Sequence, residues 1–316
     1  MNLFFSFLLL LVGFFLVSFG ADKLVEGASN IAKRLRVSDL VIGLTIVSFG
    51  TSAPELAVNI VSAFKKNSEI ALGNIIGSNI FNILAVAGIS AMIRPIEVHY
   101  STLKKEIPLS FIAALTVLAL GNKVPSLITR GDGIVLLSFF AIFLAYVFEM
   151  AKKDRSMFEE MEKGKLKETS LIISIVYVVG GLIGLTFGGR WIVTGATDVA
   201  KFFGVSDKLI GLTIVAAGTS IPELATSVTA MIKGNSEIGL GNIVGSNIFN
   251  IFFILGATAV INPVLYNTVL NVDLTLLLIV TALLTIFSKD LKINRLEGLL
   301  LFLSYIGYTV YLIIRG

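Results

Sequence analysis

Two strings of residues occur twice in this chain, at an offset of 168 positions: GTSAPE at 50–55 with GTSIPE at 218–223, and GNIIGSNIFN at 73–82 with GNIVGSNIFN at 241–250. The longer segments that contain them, 42–83 and 210–251, align without a gap and are identical at 29 of 42 positions. A self-match at one constant offset indicates an internal duplication. We therefore expect two copies of one structural unit, whose most similar parts hold polar and helix-breaking residues.

The composition places both copies in a membrane. The chain has 316 residues, of which 55% are hydrophobic and 15% charged, and its mean hydropathy is +0.92, whereas soluble domains are roughly 25% charged. This excludes an ordinary soluble enzyme and a disordered chain. A membrane-spanning helix needs ~20 mostly apolar residues. Ten segments qualify, the fourth of them short: 3–20, 40–64, 70–93, 107–121, 131–150, 170–188, 208–232, 238–261, 269–287 and 296–314.

A polar segment divides these spans into two groups of five. Residues 152–168 include 11 charged residues among 17, so we predict a short linker between repeat 1 (1–151) and repeat 2 (169–316). A duplicated unit with an odd number of spans enters the membrane in opposite orientations, as in many secondary transporters. The predicted fold is an all-α integral membrane protein of ten transmembrane helices, arranged as two inverted five-helix repeats with broken helices at the core.

The distribution of lysine and arginine predicts the orientation of the spans. With the linker 152–168 in the cytoplasm, 17 of the 25 basic residues lie in cytoplasmic loops and 8 lie outside. Both termini of this multi-pass protein are therefore predicted outside the plasma membrane. Because the basic residues lie between apolar spans, the net charge of +4 reflects topology, and no nucleic-acid partner is expected.

Residue types that the chain lacks exclude several chemistries. There is no cysteine, and the single histidine, His99, lies outside the predicted spans. The predicted spans therefore lack the side chains for thiolate-ligated or histidine-ligated metal sites and for Ser-His dyads. An intramembrane aspartyl protease is excluded because the central acids are glutamates. The chain is predicted not to be an enzyme and to use no cofactor.

The GTS-x-PE strings predict a break in two of the spans. Proline in a helix cannot donate a hydrogen bond to the carbonyl four residues earlier, so Pro54 frees the carbonyl of Gly50. Pro222 repeats this arrangement in the second copy. In a membrane such backbone is tolerated only where it lines a cavity or meets an ion.

Glu55 and Glu223 follow these prolines at matching positions. A charged carboxylate at the centre of a membrane costs ~2–3 kcal/mol or more, and no basic residue lies near either glutamate in its span. A bound cation is the predicted partner, and calcium, which takes roughly 6–8 oxygen ligands, suits the oxygen donors available. Those donors include Thr51, Ser52, Thr219 and Ser220, and also Ser78 with Asn82 and Ser246 with Asn250, which share a helix face.

Both pairs of strings resemble the two alpha-repeats of the sodium/calcium exchanger branch of the cation/calcium antiporter superfamily. The resemblance covers the whole chain, and it implies that Glu55 and Glu223 are ligands shared by calcium and sodium. It also implies that spans 1 and 6 slide across a core of the other eight. Further implied ligands are the carbonyls of Thr51 and Thr219 for calcium, the carbonyls of Ser48 and Ala216 for sodium, Ser52, Ser220, Ser78 and Ser246 at outer sodium sites, and Asn82 and Asn250 at the centre.

The predicted function is Na⁺/Ca²⁺ antiport by alternating access. Both ions are transported substrates, and the protein is embedded in the lipid bilayer. The two glutamates supply a charge of −2, which one Ca²⁺, two Na⁺ or two protons neutralise. H⁺/Ca²⁺ antiport, or exchange of another cation for a divalent ion, on the same fold is the alternative, because buried carboxylates also take up protons. Some relatives carry aspartate at the position of Asn250, so the amide here removes one proton acceptor. A channel is disfavoured because buried paired carboxylates suit occlusion, and no obligate protein partner is expected.

Overall fold

The structure, a computed structural model, describes residues 3–161, 170–205 and 216–315, together with residues 210 and 214. Nearly all of these residues are helical, and the strands among them form two antiparallel pairs of two residues each. A helix satisfies its own backbone hydrogen bonds, which is what lipid requires. The all-α class predicted from the apolar spans is confirmed.

In repeat 1 the spans that contain the repeated strings are divided into shorter pieces. The breaks fall at the GTSAPE string and at the asparagine that ends GNIIGSNIFN. The elements are α1 (Leu3–Leu35), α2 (Asp39–Ile42), a π-helical turn (Gly43–Val47), α3 (Ser48–Thr51), α4 (Ala53–Phe64), α5 (Ser68–Phe81), a π-helical turn (Asn82–Val86), α6 (Ala87–Ile93), β1 (Ile96–Glu97), a π-helical turn (Thr102–Glu106), α7 (Ile107–Gly121), β2 (Leu127–Ile128) and α8 (Arg130–Met161).

Repeat 2 is divided at corresponding places. Its GTSIPE string separates two helices, and Asn250 again lies in a π-helical turn. The elements are α9 (Leu171–Phe202), α10 (Ala216–Gly218), α11 (Ile221–Ile232), α12 (Ser236–Ile248), a π-helical turn (Phe249–Leu255), α13 (Gly256–Ile261), β3 (Val264–Leu265), α14 (Leu270–Phe287), β4 (Lys292–Ile293) and α15 (Arg295–Arg315).

Helices occur in all ten predicted spans, but they differ in length. Seven of the described helical segments are long and apolar enough to cross a membrane, and the bent segment from α2 to α4 makes one more. The predicted span 107–121 is the shorter helix α7. The span 208–232 ends in α11 but begins among residues outside the described ones. The count of ten crossings therefore stays a prediction.

The first helices of the two repeats, α1 and α9, pack antiparallel with their backbones in contact. Glycine allows this approach, since a Cβ atom on Gly20 would lie 2.8 Å from the carbonyl oxygen of Gly181, and one on Gly181 would lie 2.6 Å from that of Gly20. The same reciprocal fit joins Gly13 to Gly188. Because α1 and α9 are equivalent in the duplication and run in opposite directions, the repeats are inverted, as the odd number of spans predicts.

The loops form two groups at opposite ends of the helices. At one end β1 pairs with β4, and at the other β2 pairs with β3. In the duplication β1 corresponds to β3, and these two strands lie at opposite ends of the molecule. Equivalent loops of the two repeats therefore lie at opposite ends. We call these ends the linker face, with residues 36–38, 94–101, 233–235 and 288–294, and the terminal face, with residues 65–67, 122–129 and 262–269.

Helix α8 extends beyond its predicted end. It continues to Met161, which is ten residues into the predicted linker 152–168, and the rest of that segment lies outside the described residues. The extension is anchored at the linker face, because Asp154 accepts hydrogen bonds from the backbone N–H and the Oγ of Ser38 at 3.0 and 2.6 Å. The division into repeat 1, linker and repeat 2 stays a prediction.

His99 connects the loop after β1 to two other elements at the linker face. Its Nε2 lies 2.7 Å from Oε1 of Glu237, and Oε2 of Glu237 accepts a hydrogen bond from the N–H of Leu40 at 3.1 Å. The contact with Glu237 raises the pKa of His99 above its ordinary value.

This pair predicts a pH-dependent stability. A group whose pKa is raised by folding stabilises the fold at low pH, and that contribution disappears as the pH rises through the folded-state pKa. We expect the melting temperature of the detergent-solubilised protein to be higher at about pH 6 than at about pH 8, and His99→Gln to reduce the difference. If the melting temperature of His99→Gln differs between the two pH values as much as that of the unchanged protein, the pair of His99 and Glu237 contributes nothing to the pH dependence.

Candidate cation-binding site

Each GTS-x-PE string ends one helix and begins another. Ser52 lies between α3 and α4 with φ −81° and ψ 9°, and Ser220 lies between α10 and α11 with φ −93° and ψ 9°. Proline stands in the first turn of each following helix, where its missing N–H is not needed. The helix axis bends by 47° at Ser52. The predicted breaks are present, and they place Glu55 and Glu223 in a first turn, where the helix dipole favours a negative charge.

The two glutamates are held across the repeat interface. Glu55 is 0% exposed and Glu223 is 1% exposed. The Oγ of Ser52 donates a hydrogen bond to Oε1 of Glu223 at 3.0 Å, and the Oγ of Ser220 donates one to Oε1 of Glu55 at 3.1 Å. Each serine thus binds the carboxylate of the other repeat, so neither half builds the site alone.

Four buried oxygen atoms of the predicted ligands have no hydrogen-bond partner among the described residues: Oε2 of Glu55, Oε2 of Glu223, Oδ1 of Asn82 and Oδ1 of Asn250. An unpaired buried polar atom costs ~1–3 kcal/mol, and a charged one costs more. Two carboxylate and two amide oxygens are the type of donor set that a hard cation takes. The described part of the chain holds no cluster of three or more Asp, Glu, His or Cys side chains, so two glutamates alone supply the negative charge.

Four asparagines join α5 and α12 in a reciprocal set of hydrogen bonds. The Nδ2 of Asn79 donates to the carbonyl of Asn247 at 3.1 Å, and the Nδ2 of Asn247 donates to the carbonyl of Asn79 at 3.3 Å. Asn82 donates to Oδ1 of Asn247 at 3.1 Å, and Asn250 donates to Oδ1 of Asn79 at 3.0 Å. With their N–H groups engaged in this way, Asn82 and Asn250 keep their oxygens for another partner.

A second pair of asparagines supports the two threonines of the GTS strings. The Oγ1 of Thr51 donates to Oδ1 of Asn242 at 2.9 Å, and the Oγ1 of Thr219 donates to Oδ1 of Asn74 at 3.3 Å. Asn242 also donates to the carbonyl of Glu223 at 3.3 Å. The supporting roles of Asn74 and Asn242 were not predicted from the sequence. The available signal was their identity at equivalent positions of the repeated strings.

The predicted sodium ligands surround the same centre with less symmetry. Ser78 donates to Oε1 of Glu55 at 3.3 Å, whereas its counterpart Ser246 donates to the carbonyl of Ser48 at 3.5 Å. That carbonyl also accepts a hydrogen bond from the N–H of Ser52 at 3.1 Å. Ala216 begins α10, and its side chain is outside the described residues. Each of the other predicted site residues takes part in at least one of these hydrogen bonds, and their roles as ion ligands stay predictions.

A cavity of about 320 Å³ reaches the two helix breaks between α9 and the start of α4 and α11. Its wall includes Pro54, Thr219, Pro222 and, from the half of α9 nearer the terminal face, Arg190 and Val193. At the equivalent positions of α1, Val25 is 0% exposed, whereas the side chain of Asp22, which corresponds to Arg190, is 43% exposed. A larger cavity of about 760 Å³ at the linker face, bounded by His99, Lys105 and Asp154, contains none of the predicted site residues.

This geometry defines a class of protein. Two inverted repeats meet at broken helices, two buried glutamates and two buried amides keep an oxygen without a partner, and a cavity reaches the helix breaks. Such a molecule is a membrane transporter for cations.

Comparison with known proteins gives the family. The chain matches the family model described as Sodium/calcium exchanger protein over residues 5–149 and 173–314. It is 40% identical to the putative antiporter CaxA of Alkalimonas amylolytica over 96% of this chain and 97% of that protein. It is 32% identical to the sodium/calcium exchanger MaX1 of Methanosarcina acetivorans over 97% and 98% of the two chains.

Solved structures agree with this assignment. The sodium-calcium exchanger NCX_Mj soaked with Na⁺ and Ca²⁺ is similar to this chain with a TM-score of 0.82 and 33% identity, over 96% of each chain. The same exchanger soaked without either ion gives a TM-score of 0.83. The chain belongs to the sodium/calcium exchanger family. It is a transporter that exchanges a cation for Ca²⁺, and the resemblance stated from the repeated strings is confirmed.

Proposed function

We propose that this protein exchanges Na⁺ for Ca²⁺ across the plasma membrane by alternating access, with Glu55 and Glu223 as ligands shared by both ions. One observation carries the proposal. Each glutamate is buried, is held by a serine of the other repeat and keeps one carboxylate oxygen without a partner. The remaining ligands are those implied by the family resemblance, with the carbonyls of Thr51 and Thr219 at calcium.

The charge of the site favours exchange over one-way movement. Two carboxylates in a water-poor centre repel each other, and each is expensive to keep charged in the membrane. One Ca²⁺ or two Na⁺ removes the charge of −2, so loaded forms cross more easily than the empty one. A third Na⁺ leaves a charge of +1, in which case exchange for Ca²⁺ moves net charge and responds to membrane voltage.

Sodium suits the donor set better than protons do. Besides the two carboxylates, the centre holds hydroxyls and amides such as Ser52, Ser220, Asn82 and Asn250, which act as neutral oxygen ligands and do not take up protons at ordinary pH. The names of MaX1 and NCX_Mj also support sodium. We place the terminal face outside the cell, as the distribution of basic residues predicts, so the described cavity opens outwards.

The test is calcium uptake into proteoliposomes that contain the purified protein. We expect an outward Na⁺ gradient to drive Ca²⁺ uptake, and an equal gradient of choline to drive none. A pH gradient without sodium separates the alternative, since uptake driven by protons alone would replace Na⁺ coupling with H⁺ coupling. If neither gradient drives uptake by folded protein, the proposal fails.

A further prediction concerns the neutral centre. The Nδ2 of Asn250 donates to Oδ1 of Asn79 at 3.0 Å, so Asn250→Asp places a carboxyl oxygen against that acceptor. The new carboxyl satisfies the contact only by holding a proton. We expect Na⁺-driven Ca²⁺ uptake by Asn250→Asp to become more dependent on pH than uptake by the unchanged protein, measured between about pH 6 and pH 8.

The equivalent change in the other repeat is the matched control. Asn82 donates to Oδ1 of Asn247 in the same way, so Asn82→Asp is expected to show a similar pH dependence. A flat pH profile in both variants, with transport retained, would mean that these amides lie outside the ion site.

A further inference from the structure

The two repeats carry different charges at one pair of equivalent positions. Asp22 of α1 forms an ion pair with Lys233 at the end of α11, with Nζ 2.6 Å from Oδ1, and the same Nζ donates to the carbonyl of Asp22 at 2.9 Å. The offset of 168 relates Asp22 to Arg190 and Lys233 to Lys65. The linker face therefore has an acid opposite a base, whereas the terminal face has two bases at the matching positions.

The two helices that carry Asp22 and Arg190, α1 and α9, form one body. The backbones of α1 and α9 touch at Gly20 with Gly181 and at Gly13 with Gly188, so neither helix moves far along or around the other. Much of the outer surface of this pair consists of exposed apolar side chains such as Phe4, Phe15, Ile172 and Ile183. Lipid does not hold such a surface in place, so movement of the pair as a unit would break contacts only on its inner side.

The body lies closer to the rest of the protein at one end than at the other. Towards the linker face Val25 is 0%, Ala28 0% and Ala32 1% exposed. Their counterparts on α9 are all partly exposed: Val193, Ala196 and Ala200. Arg190 and Val193 line the cavity that leads to Pro54 and Pro222. Among the described residues, α1 is therefore more deeply buried towards the linker face than α9 is towards the terminal face.

We propose that this charge pattern holds the transporter open at the terminal face when no ion gradient acts on it. Opening the linker face separates Asp22 from Lys233, and closing the terminal face brings Arg190 towards Lys65. Both steps are unfavourable, since the first breaks an ion pair and the second brings like charges together. The contacts of Lys23 with Asp22 and Glu26 lie within α1. They move together with α1, so they do not oppose the movement of α1 and α9 against the other helices. The inference rests on the alternating access in the proposed function.

The test uses the absence of cysteine from the chain. Ala57→Cys reports on the cavity at the terminal face, and Ala225→Cys, at the equivalent position, reports on the linker face. Each is labelled with a membrane-impermeant maleimide added to the appropriate side of proteoliposomes. We expect Ala57→Cys to react faster than Ala225→Cys in the unchanged background.

Reversing the charge at these positions is then expected to change the relative stability of the two open forms. Arg190→Asp offers Lys65 an opposite charge, so we expect labelling of Ala57→Cys to slow by about fivefold and labelling of Ala225→Cys to speed up. The double variant Asp22→Arg with Arg190→Asp exchanges the charges of the two faces, and we expect it to reverse the order of the two labelling rates. High salt should weaken both effects, because these groups are partly exposed.

Two variants control for unrelated charge effects. Lys66→Asp changes a neighbouring charge that is not at the equivalent position, and Asp273→Asn removes an ion pair with Arg315 inside repeat 2. Both should leave the labelling rates unchanged, and a melting curve checks that each variant folds. Unchanged rates in a folded double variant would overturn the inference. Labelling needs no transport, so this result is separate from a failure of Na⁺/Ca²⁺ exchange in the uptake assay.

Discussion

Glu223→Gln is expected to abolish calcium transport while the protein keeps its fold. Glutamine has nearly the shape of glutamate, and its side-chain oxygen still accepts the hydrogen bond that Ser52 gives to Oε1 at 3.0 Å. The change removes one of the two negative charges, so a bound Ca²⁺ would leave a charge of +1 in the membrane. A charge there costs ~2–3 kcal/mol or more, which corresponds to about a hundredfold or greater loss of Ca²⁺ uptake.

The same result is expected for Glu55→Gln, because Ser220 binds Oε1 of Glu55 in the equivalent way. The measurement is Na⁺-driven Ca²⁺ uptake per reconstituted protein, with a melting curve for each variant. Neither variant should melt at a lower temperature, since removing one of two buried like charges relieves repulsion. Glu69→Gln, at the exposed start of α5, is the control and should transport normally. Near-normal uptake by either central variant would remove that glutamate from the ion site.

The second large effect is expected from Gly181→Leu. A Cβ atom at this position would lie 2.6 Å from the carbonyl oxygen of Gly20 and 2.8 Å from the N–H nitrogen of Leu24. Both atoms belong to the backbone of α1, so they do not move aside as a flexible side chain would. Overpacking of this kind costs ~1–3 kcal/mol or more. We expect the melting temperature to fall by about 5 °C or more and transport to fall with it, because α1 and α9 no longer move as one body.

The neighbouring residue supplies a matched control. A Cβ atom on Gly180 would have no described atom within 4 Å, so Gly180→Leu adds the same side chain to the same helix without a clash. Its melting temperature should change by less than about 2 °C. If the two variants melt alike, the close contact between α1 and α9 does not limit stability, and the one-body description of the pair is wrong.

Several features of the site were predictable from the sequence because they arise from single residues. Pro54 and Pro222 end a helix wherever they stand in its interior, and a charged glutamate in an apolar span needs a partner in any fold. The duplication made these features easier to recognise, since Glu55 and Glu223 recur at one offset. The inversion also followed from counting, because five spans in each copy reverse the orientation of the second.

Other features were not predictable because they depend on how the two copies fit together. Neither string shows that Ser52 would bind Glu223 instead of the glutamate in its own repeat. The role of Asn242, which joins Thr51 to the backbone of Glu223, likewise exists only across the interface. The carbonyl of Ser48, which the resemblance implies as a sodium ligand, accepts hydrogen bonds from Ser52 and from Ser246 of the other repeat, and the second of these exists only across the interface.

The sequence by itself determined the duplication, the inverted arrangement, the helix breaks and the two central acids. Each of these follows from the chemistry of a residue or from its distance along the chain. Only the tertiary structure decided which serine binds which carboxylate and which of two equivalent positions on α1 and α9 is buried. The two faces are built from nearly equivalent residues, so the choice depends on small differences in packing and charge between α1 with α11 at one end and α9 with α4 at the other. Such differences appear only when the two copies are in contact.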